Sequence, residues 1–393
     1  MQTKKNKPHF IINNNFQKGG KYQDLLTQKI LSDVCLKITG TKYYTVEFID
    51  IINKGRQAKL LYDGVVNYIS FSENRIQSRN SSFQSFPTAL VNYYNESNIK
   101  KKIYFYILPT EGNIETNYFI FMYCLIKTIG VEILNSSKNL STKINPFSSL
   151  EDIILHKKNI RDKNKSNNST YITKTTNNII EIFGKLYGAN KYETTLLAFA
   201  VYNISSLNIK LYEIEEGKLT KLPKAARNYL LSLDRFDIIT ADITLEKSEF
   251  NNNNSLRSPR YIYNLLEKLG DKKCAFCECD IPQIIQGAHI WPVADIKKEK
   301  SLAQEKKLAC AINGDNGLWL CQNHHKLLDV NILKLSKDGS IKYKKTINKT
   351  SVEFIKNISV NNKLSDEIMT DEFIDFLYKR NKNIKEDEYI NIA

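Results

Sequence analysis

Cys274-Ala-Phe-Cys277 and Cys321-Gln-Asn-His324 are two pairs of metal-binding side chains with the same two-residue gap. A turn of that length brings both members of a pair to one side of a tight loop. Two such pairs can therefore close around one tetrahedral Zn2+ through three thiolates and one imidazole. Cys279 is an alternative to Cys277, although the gap favours Cys277. The scarcity of these residue types sharpens the pattern. Of seven cysteines and five histidines, Cys274, Cys277, Cys279, Cys310, Cys321, His289, His324 and His325 fall in one short segment. Both tryptophans, Trp291 and Trp319, fall there too and are expected to be core. The Lys-rich residues 1–10 contain no apolar signal core, so this clustering points to metal rather than disulfides. A zinc cross-link would hold together a module too small to bury much core of its own.

Between the two pairs lie Gln286-Gly287-Ala288-His289-Ile290-Trp291-Pro292 and, after a loop, Gly314-Asp315-Asn316-Gly317-Leu318-Trp319-Leu320. The second string runs on through Cys321 and His324-His325-Lys326-Leu327-Leu328-Asp329. The segment resembles the HNH, or ββα-metal, endonucleases, whose hallmark is His, then Asn, then His in a β-hairpin followed by a helix. The matching positions are His289, Asn316 and His325. The strings Ala-His-Ile-x-Pro and Asn-Gly-Leu-x-Leu-Cys-x-x-His-His-x-Leu-x-Asp are similar to a restriction-type branch of that family.

The resemblance implies a division of labour. Phosphodiester hydrolysis needs a deprotonated water in line with the leaving oxygen and a cation to offset developing charge. A neutral imidazole takes up a proton near pH 7, which makes His289 the expected general base. Asn316 is expected to hold the segment that carries this base, and His325 to bind a catalytic Mg2+ or Mn2+. Neighbouring helical residues point in different directions, so His324 can serve zinc while His325 serves the second ion. One departure stands out. Many members place Asp or His just before the base as a metal ligand, and here that position is Ala288. Gln286, Asp295, Asp315 and Asp329 are the candidates to replace it, alongside water and phosphate. The same departure keeps open a zinc-held DNA-binding protein whose active site is defunct.

The elements that must position these residues give an α+β, multidomain reading with the zinc-stabilised ββα-metal nuclease module in the C-terminal part. Residues 1–157 read as a basic, β-rich domain suited to DNA recognition. They start with a helix near Lys21 to Leu31, followed by strands within Tyr43 to Ile49, Ala58 to Tyr62, Tyr68 to Phe71 and Tyr104 to Leu108. Asn117 to Ile129 is a buried helix or strand. Residues 157–170, charged and without apolar periodicity, read as a linker or exposed loop. Residues 171–250 read as an α/β domain, with a helix over Thr194 to Ile204 and a strand over Ile209 to Ile214. The nuclease module is placed at 258–345, opened by an amphipathic helix from Tyr261 to Leu269 that Gly270 stops. A strand-and-helix tail, 346–393, includes a helix over Asp371 to Tyr378.

The net charge of +15 suits a polyanion, since each phosphate contact releases counterions, but a Lys- and Asn-rich composition from an AT-rich genome accounts for it equally. Lys100, Lys101, Lys102, Arg75, Arg79 and Arg257 are candidate phosphate contacts. For any one of them a solvated charged face is the plainer explanation. The branch resemblance implies a type II restriction endonuclease cutting double-stranded DNA, with a cognate DNA methyltransferase. A homodimer on DNA is also implied, because one such site cuts one strand. Homing, phage and modification-dependent nucleases are the other enzymatic readings. The longest apolar run, Tyr118 to Ile126, is too short for a bilayer, so no membrane partner and a cytoplasmic location are expected.

Overall fold

The structure is a computed structural model. It describes residues 28–41, 45–50, 56–62, 64–73, 90, 100–108, 117–134, 142–163, 170–186, 190–214, 222–241, 246, 250–251 and 258–392. Arg75, Arg79 and Arg257 lie outside these residues. The chain divides into two compact units, residues 1–173 with 180–239 and residues 174–179 with 240–393.

Among the described residues the first unit opens with α1 (Gln28–Thr39), which takes in Gln28 to Leu31 of the expected helix; residues 21–27 lie outside the description. A five-stranded sheet follows, built from β1 (Thr45–Asp50), β2 (Arg56–Tyr62), β3 (Val65–Glu73), β4 (Lys100–Leu108) and, after α2 (Asn117–Thr128), β5 (Glu132–Leu134). β1, β2 and β3 pair antiparallel; β4 runs parallel to both β3 and β5. α2 is apolar around nearly its whole circumference, from Tyr118 to Ile126, and nearly all of its side chains are buried. That settles the helix-or-strand ambiguity in favour of a core helix.

α3 (Leu150–Lys163) corrects the expectation of a loop from residue 157. Its core-facing stripe runs Ile153, Lys157, Ile160, a helical spacing whose middle member is a lysine. Lys157 is buried because Glu193, itself fully buried, neutralises it. Glu193 belongs to α4 (Asn190–Ile204), which packs against α2 in the same apolar core. A four-stranded sheet in the order β6 (Thr170–Lys174), β7 (Ile179–Lys185), β8 (Asn208–Ile214) and β9 (Phe236–Ala241) is joined by α4 and by α5 (Lys224–Leu231).

The second unit is organised around α6 (Pro259–Leu269). Ser258 caps it by accepting from the Arg260 amide at 3.0 Å, and Pro259 occupies the first turn, where no amide hydrogen is needed. β10 (Ile285–His289) leads into α7 (Val293–Lys298), α8 (Gln304–Ile312) and a 3-10 turn at Gly314–Asn316, which opens β11 (Gly317–Cys321). β10 and β11 pair antiparallel, Ile285 opposite Cys321 and His289 opposite Gly317. α9 (Gln322–Asp329) follows without a break. Every residue of β11 is buried because α6 and α9 both pack on it, which explains why Gly317-Leu318-Trp319-Leu320-Cys321 shows no alternation. A three-stranded sheet of β12 (Leu333–Leu335), β13 (Ile341–Lys344) and β14 (Tyr389–Asn391) then surrounds α10 (Lys349–Ile358) and α11 (Asp371–Asn381) in sequence. Among the described residues no helix is long and apolar enough to cross a membrane.

Candidate metal centre and active site

The two knuckles meet. Cys274, Cys277, Cys321 and His324 present ligand atoms that all lie within 4.8 Å of one another. Cys277 Sγ is 4.0 Å from Cys321 Sγ, and His324 Nδ1 lies 3.2 Å from Cys321 Sγ and 3.4 Å from Cys274 Sγ. Tetrahedral Zn2+ with Zn–S near 2.3 Å would hold its sulfurs about 3.8 Å apart, so this donor set fits the ion. Cys279 stays outside the group; its carbonyl accepts from the Cys274 amide at 2.8 Å and closes the turn. Register supplies the rest of the geometry. Cys321 is the last residue of β11, and the first turn of α9 carries His324 back over it.

Burial works against charge on the members of this cluster. Burial pushes the Cys277 thiol up to about 12, with the neighbouring Cys274 and Cys321 adding to the rise. Burial likewise lowers His324, which favours the neutral imidazole. A cation would reverse the balance for the thiols and displace their protons. Nε2 of His324 lies 2.9 Å from Ser359 Oγ, a buried hydroxyl, which leaves Nδ1 directed at the sulfurs.

His324 and His325 diverge as their helical positions demand. His324 is fully buried in the thiol cluster. His325 has Nδ1 3.3 Å from Gln286 Oε1 on β10 and Nε2 3.5 Å from the Asp329 carboxylate, one turn along α9. Of the four candidates to substitute for Ala288, Gln286 and Asp329 therefore adjoin His325. Asp315 is engaged by Lys268 and Thr370, and Asp295 sits near Lys298 at 3.6 Å. Ala288 itself is fully buried.

His289 ends β10. Its Nε2 is 2.9 Å from the Ala311 carbonyl; a carbonyl has no proton to offer, so Nε2 carries the hydrogen and Nδ1 keeps its lone pair. Its ring stacks on Tyr261 of α6, with centroids 4.0 Å apart and planes 10° from parallel. Burial brings its pKa down to about 4; the Ala311 carbonyl opposes this and the charge of His325 adds to it.

Asn316 is fully buried and saturated. Its Oδ1 accepts from the Trp291 amide at 2.6 Å, and its Nδ2 donates to the carbonyls of Trp291 at 3.1 Å and Cys310 at 3.0 Å. Its own carbonyl accepts from the Ile290 amide at 3.0 Å. These bonds fasten the two residues that follow His289. Trp291 and Trp319 are buried, as expected of core.

Residues that the sequence did not flag complete the frame. Arg380 of α11 donates to the carbonyls of Ile290, at 3.1 Å, and Leu328, and to Asn331 Oδ1 at 3.0 Å. It therefore ties the end of the His289 strand to the end of the His325 helix. Asn361 bonds the first knuckle through Ala275 and Phe276. Lys100, Lys101 and Lys102 form the start of β4 in the first unit.

Residues 274–333 match the family model described as HNH endonuclease. The match starts at the first knuckle and takes in β10, β11 and α9. No curated protein matches the chain.

Proposed function

We propose, from the HNH endonuclease domain at residues 274–333, that this protein cleaves double-stranded DNA at specific sites in the manner of a type II restriction endonuclease. The observation that carries the nuclease reading is the placement of His289 at the end of β10, Asn316 in the 3-10 turn that opens β11 and His325 on α9, beside a closed three-cysteine, one-histidine cluster. The structural zinc would sit in that cluster and fix α9 against β11.

The hydrolytic roles follow from proton positions. His289 is neutral at physiological pH, and its Nδ1 accepts the proton of the attacking water. The Ala311 carbonyl holds the imidazole in that tautomer. Asn316 keeps the backbone beyond His289 fixed, so the base does not drift from its line of attack. His325 would hold the catalytic Mg2+ or Mn2+, with Gln286 and Asp329 as the nearest oxygen donors. That ion supplies positive charge to the scissile phosphate when bound.

The first unit and the lysines of β4 serve target recognition in this reading, with phosphates neutralised by the chain's excess of basic residues. Cutting both strands calls for two copies of the chain or two successive nicks, and a restriction role implies a partner methyltransferase. The test is incubation of supercoiled plasmid, methylated and unmethylated, with Mg2+ or Mn2+. Cleavage by the wild type is expected, and loss of cleavage by His289→Ala with zinc content and DNA binding unchanged. Equal cleavage by that variant would overturn the assignment. Cutting confined to methylated DNA would replace the restriction reading with a modification-dependent one.

A further inference from the structure

The stack between Tyr261 and His289 is more constrained than packing alone requires. Tyr261 lies in the first turn of α6, outside the matched residues 274–333, and is 1% exposed. Its ring lies parallel to the imidazole at 4.0 Å. The hairpin beneath has been stripped of side chains to admit it. A Cβ on Gly317 would fall 2.3 Å from Tyr261 Oη, and a Cβ on Gly287 would fall 3.0 Å from Tyr261 Cε1 and 2.6 Å from Leu265 Cδ1. Gly317 is the cross-strand partner of His289. Gly317 has an extended backbone that any residue could adopt, so glycine is needed there for room alone. The phenol oxygen, by contrast, is buried without a hydrogen-bond partner. An orphaned hydroxyl costs stability, and here it has no visible local return. The ring face is what the arrangement uses.

We propose that Tyr261 is a positioning residue for His289. Its face fixes the plane of the imidazole while the Ala311 carbonyl fixes the rotation within that plane, and together they aim Nδ1. Two contacts at right angles to each other are the minimum that determines a ring's orientation. This rests on His289 being the base.

The test compares Tyr261→Leu, which removes the face, with Tyr261→Phe, which keeps the face and removes the orphaned hydroxyl. Single-turnover cleavage at saturating DNA is expected to fall by about 10–100-fold in Tyr261→Leu, with DNA affinity and zinc content unchanged. Tyr261→Phe is expected to recover the rate to within about twofold of wild type. Nitrogen-15 spectra of the histidine rings, assigned with His289→Ala, should show a single Nε2–H tautomer in the wild type and a mixture in Tyr261→Leu. The wild type should also show His289 ring protons shifted upfield by the stacked phenol. A Leu variant that cuts at the wild-type rate, a Phe variant as slow as the Leu one, or unshifted His289 protons in the wild type would each overturn the inference. The last of these needs no variant to fold. If His289→Ala itself retains cleavage, the base assignment fails instead, and the two failures are separable.

Discussion

Asn316 grips both backbone polar groups of Trp291 with one side-chain amide, accepting from its N–H at 2.6 Å and donating to its carbonyl at 3.1 Å. A side-chain amide that pairs a peptide unit in this way substitutes for a missing strand neighbour. It does so two residues past His289, where β10 has ended, while the Asn316 carbonyl and Arg380 hold Ile290 just before it.

Replacing Asn316 by Ala leaves buried groups of Trp291 and Cys310 without partners. A destabilisation of about 2–4 kcal/mol is expected, since each orphaned group costs roughly 1–3 kcal/mol and partial relaxation recovers some. Denaturant unfolding measures it. Cleavage should fall by at least about tenfold under conditions where the variant is folded. An Ala variant within about 0.5 kcal/mol of wild type, the range of an ordinary surface substitution, would show that the grip is incidental.

Zinc should be stoichiometric and lost selectively. Cys277→Ser is expected to lower bound zinc well below one per chain by elemental analysis, and Cys279→Ser to leave it intact, because only Cys277 belongs to the cluster. Ser359→Ala, which removes the hydroxyl beside His324 Nε2, should weaken zinc binding by about 10–100-fold. The reverse order of Cys277 and Cys279 would refute the donor set.

The lowered pKa of His289 sets a pH signature. With a folded value of about 4 against roughly 6.5 in an unfolded chain, the unfolded state binds more protons between those values. The stabilising contribution of the neutral imidazole is therefore complete above about pH 6.5 and shrinks as the pH falls towards 4. His289→Gln should flatten the melting-temperature curve across that window. Cleavage by the wild type should hold level below pH 6.5, the point where an ordinary histidine would already be half protonated. A rate falling by half near pH 6.5 would contradict the proposed base being neutral across that window.

Arg380 makes α11 part of the frame around His289 and His325. Arg380→Met strands the buried carbonyls of Ile290 and Leu328 and should cost about 2–4 kcal/mol. A chain ending at residue 345 lacks Arg380, Ser359 and Asn361 together. Such a chain is expected to bind zinc weakly and to expose its hairpin to proteases. Full zinc affinity and protease resistance in the shortened chain would show that residues 346–393 are dispensable.

The sequence revealed what is local and hid what is distant. The knuckles were legible because each pair closes within one turn, and the ββα order because His289, Asn316 and His325 come with their own strings. In the sequence Tyr261 is one residue of an amphipathic helix, since nothing in its neighbourhood says which ring it will lie against. Arg380 looked like one basic residue at a helix end, and its three acceptors are between 49 and 90 residues away along the chain. Residues 157–163 of α3 look like loop in the sequence because a lysine occupies the middle of the apolar stripe, and its counter-charge, Glu193, lies 36 residues on. Gln286, Asp295, Asp315 and Asp329 can be named from the sequence in place of Ala288 but not ranked, because only the folded hairpin shows that His325 meets Gln286 and Asp329.

His324 and His325 are consecutive, and α9 is the sole link between them. A helix turns about 100° per residue as a rigid body, so whatever rotates one ring carries the other with it. Loosening the thiols by a chelator, or by oxidising Cys277, would swing the second imidazole away from Gln286. Poisoning by thiol reagents is thus a property the proposed nuclease should have although its mechanism assigns no sulfur to bond cleavage, and restoring the reductant and zinc should return it to work.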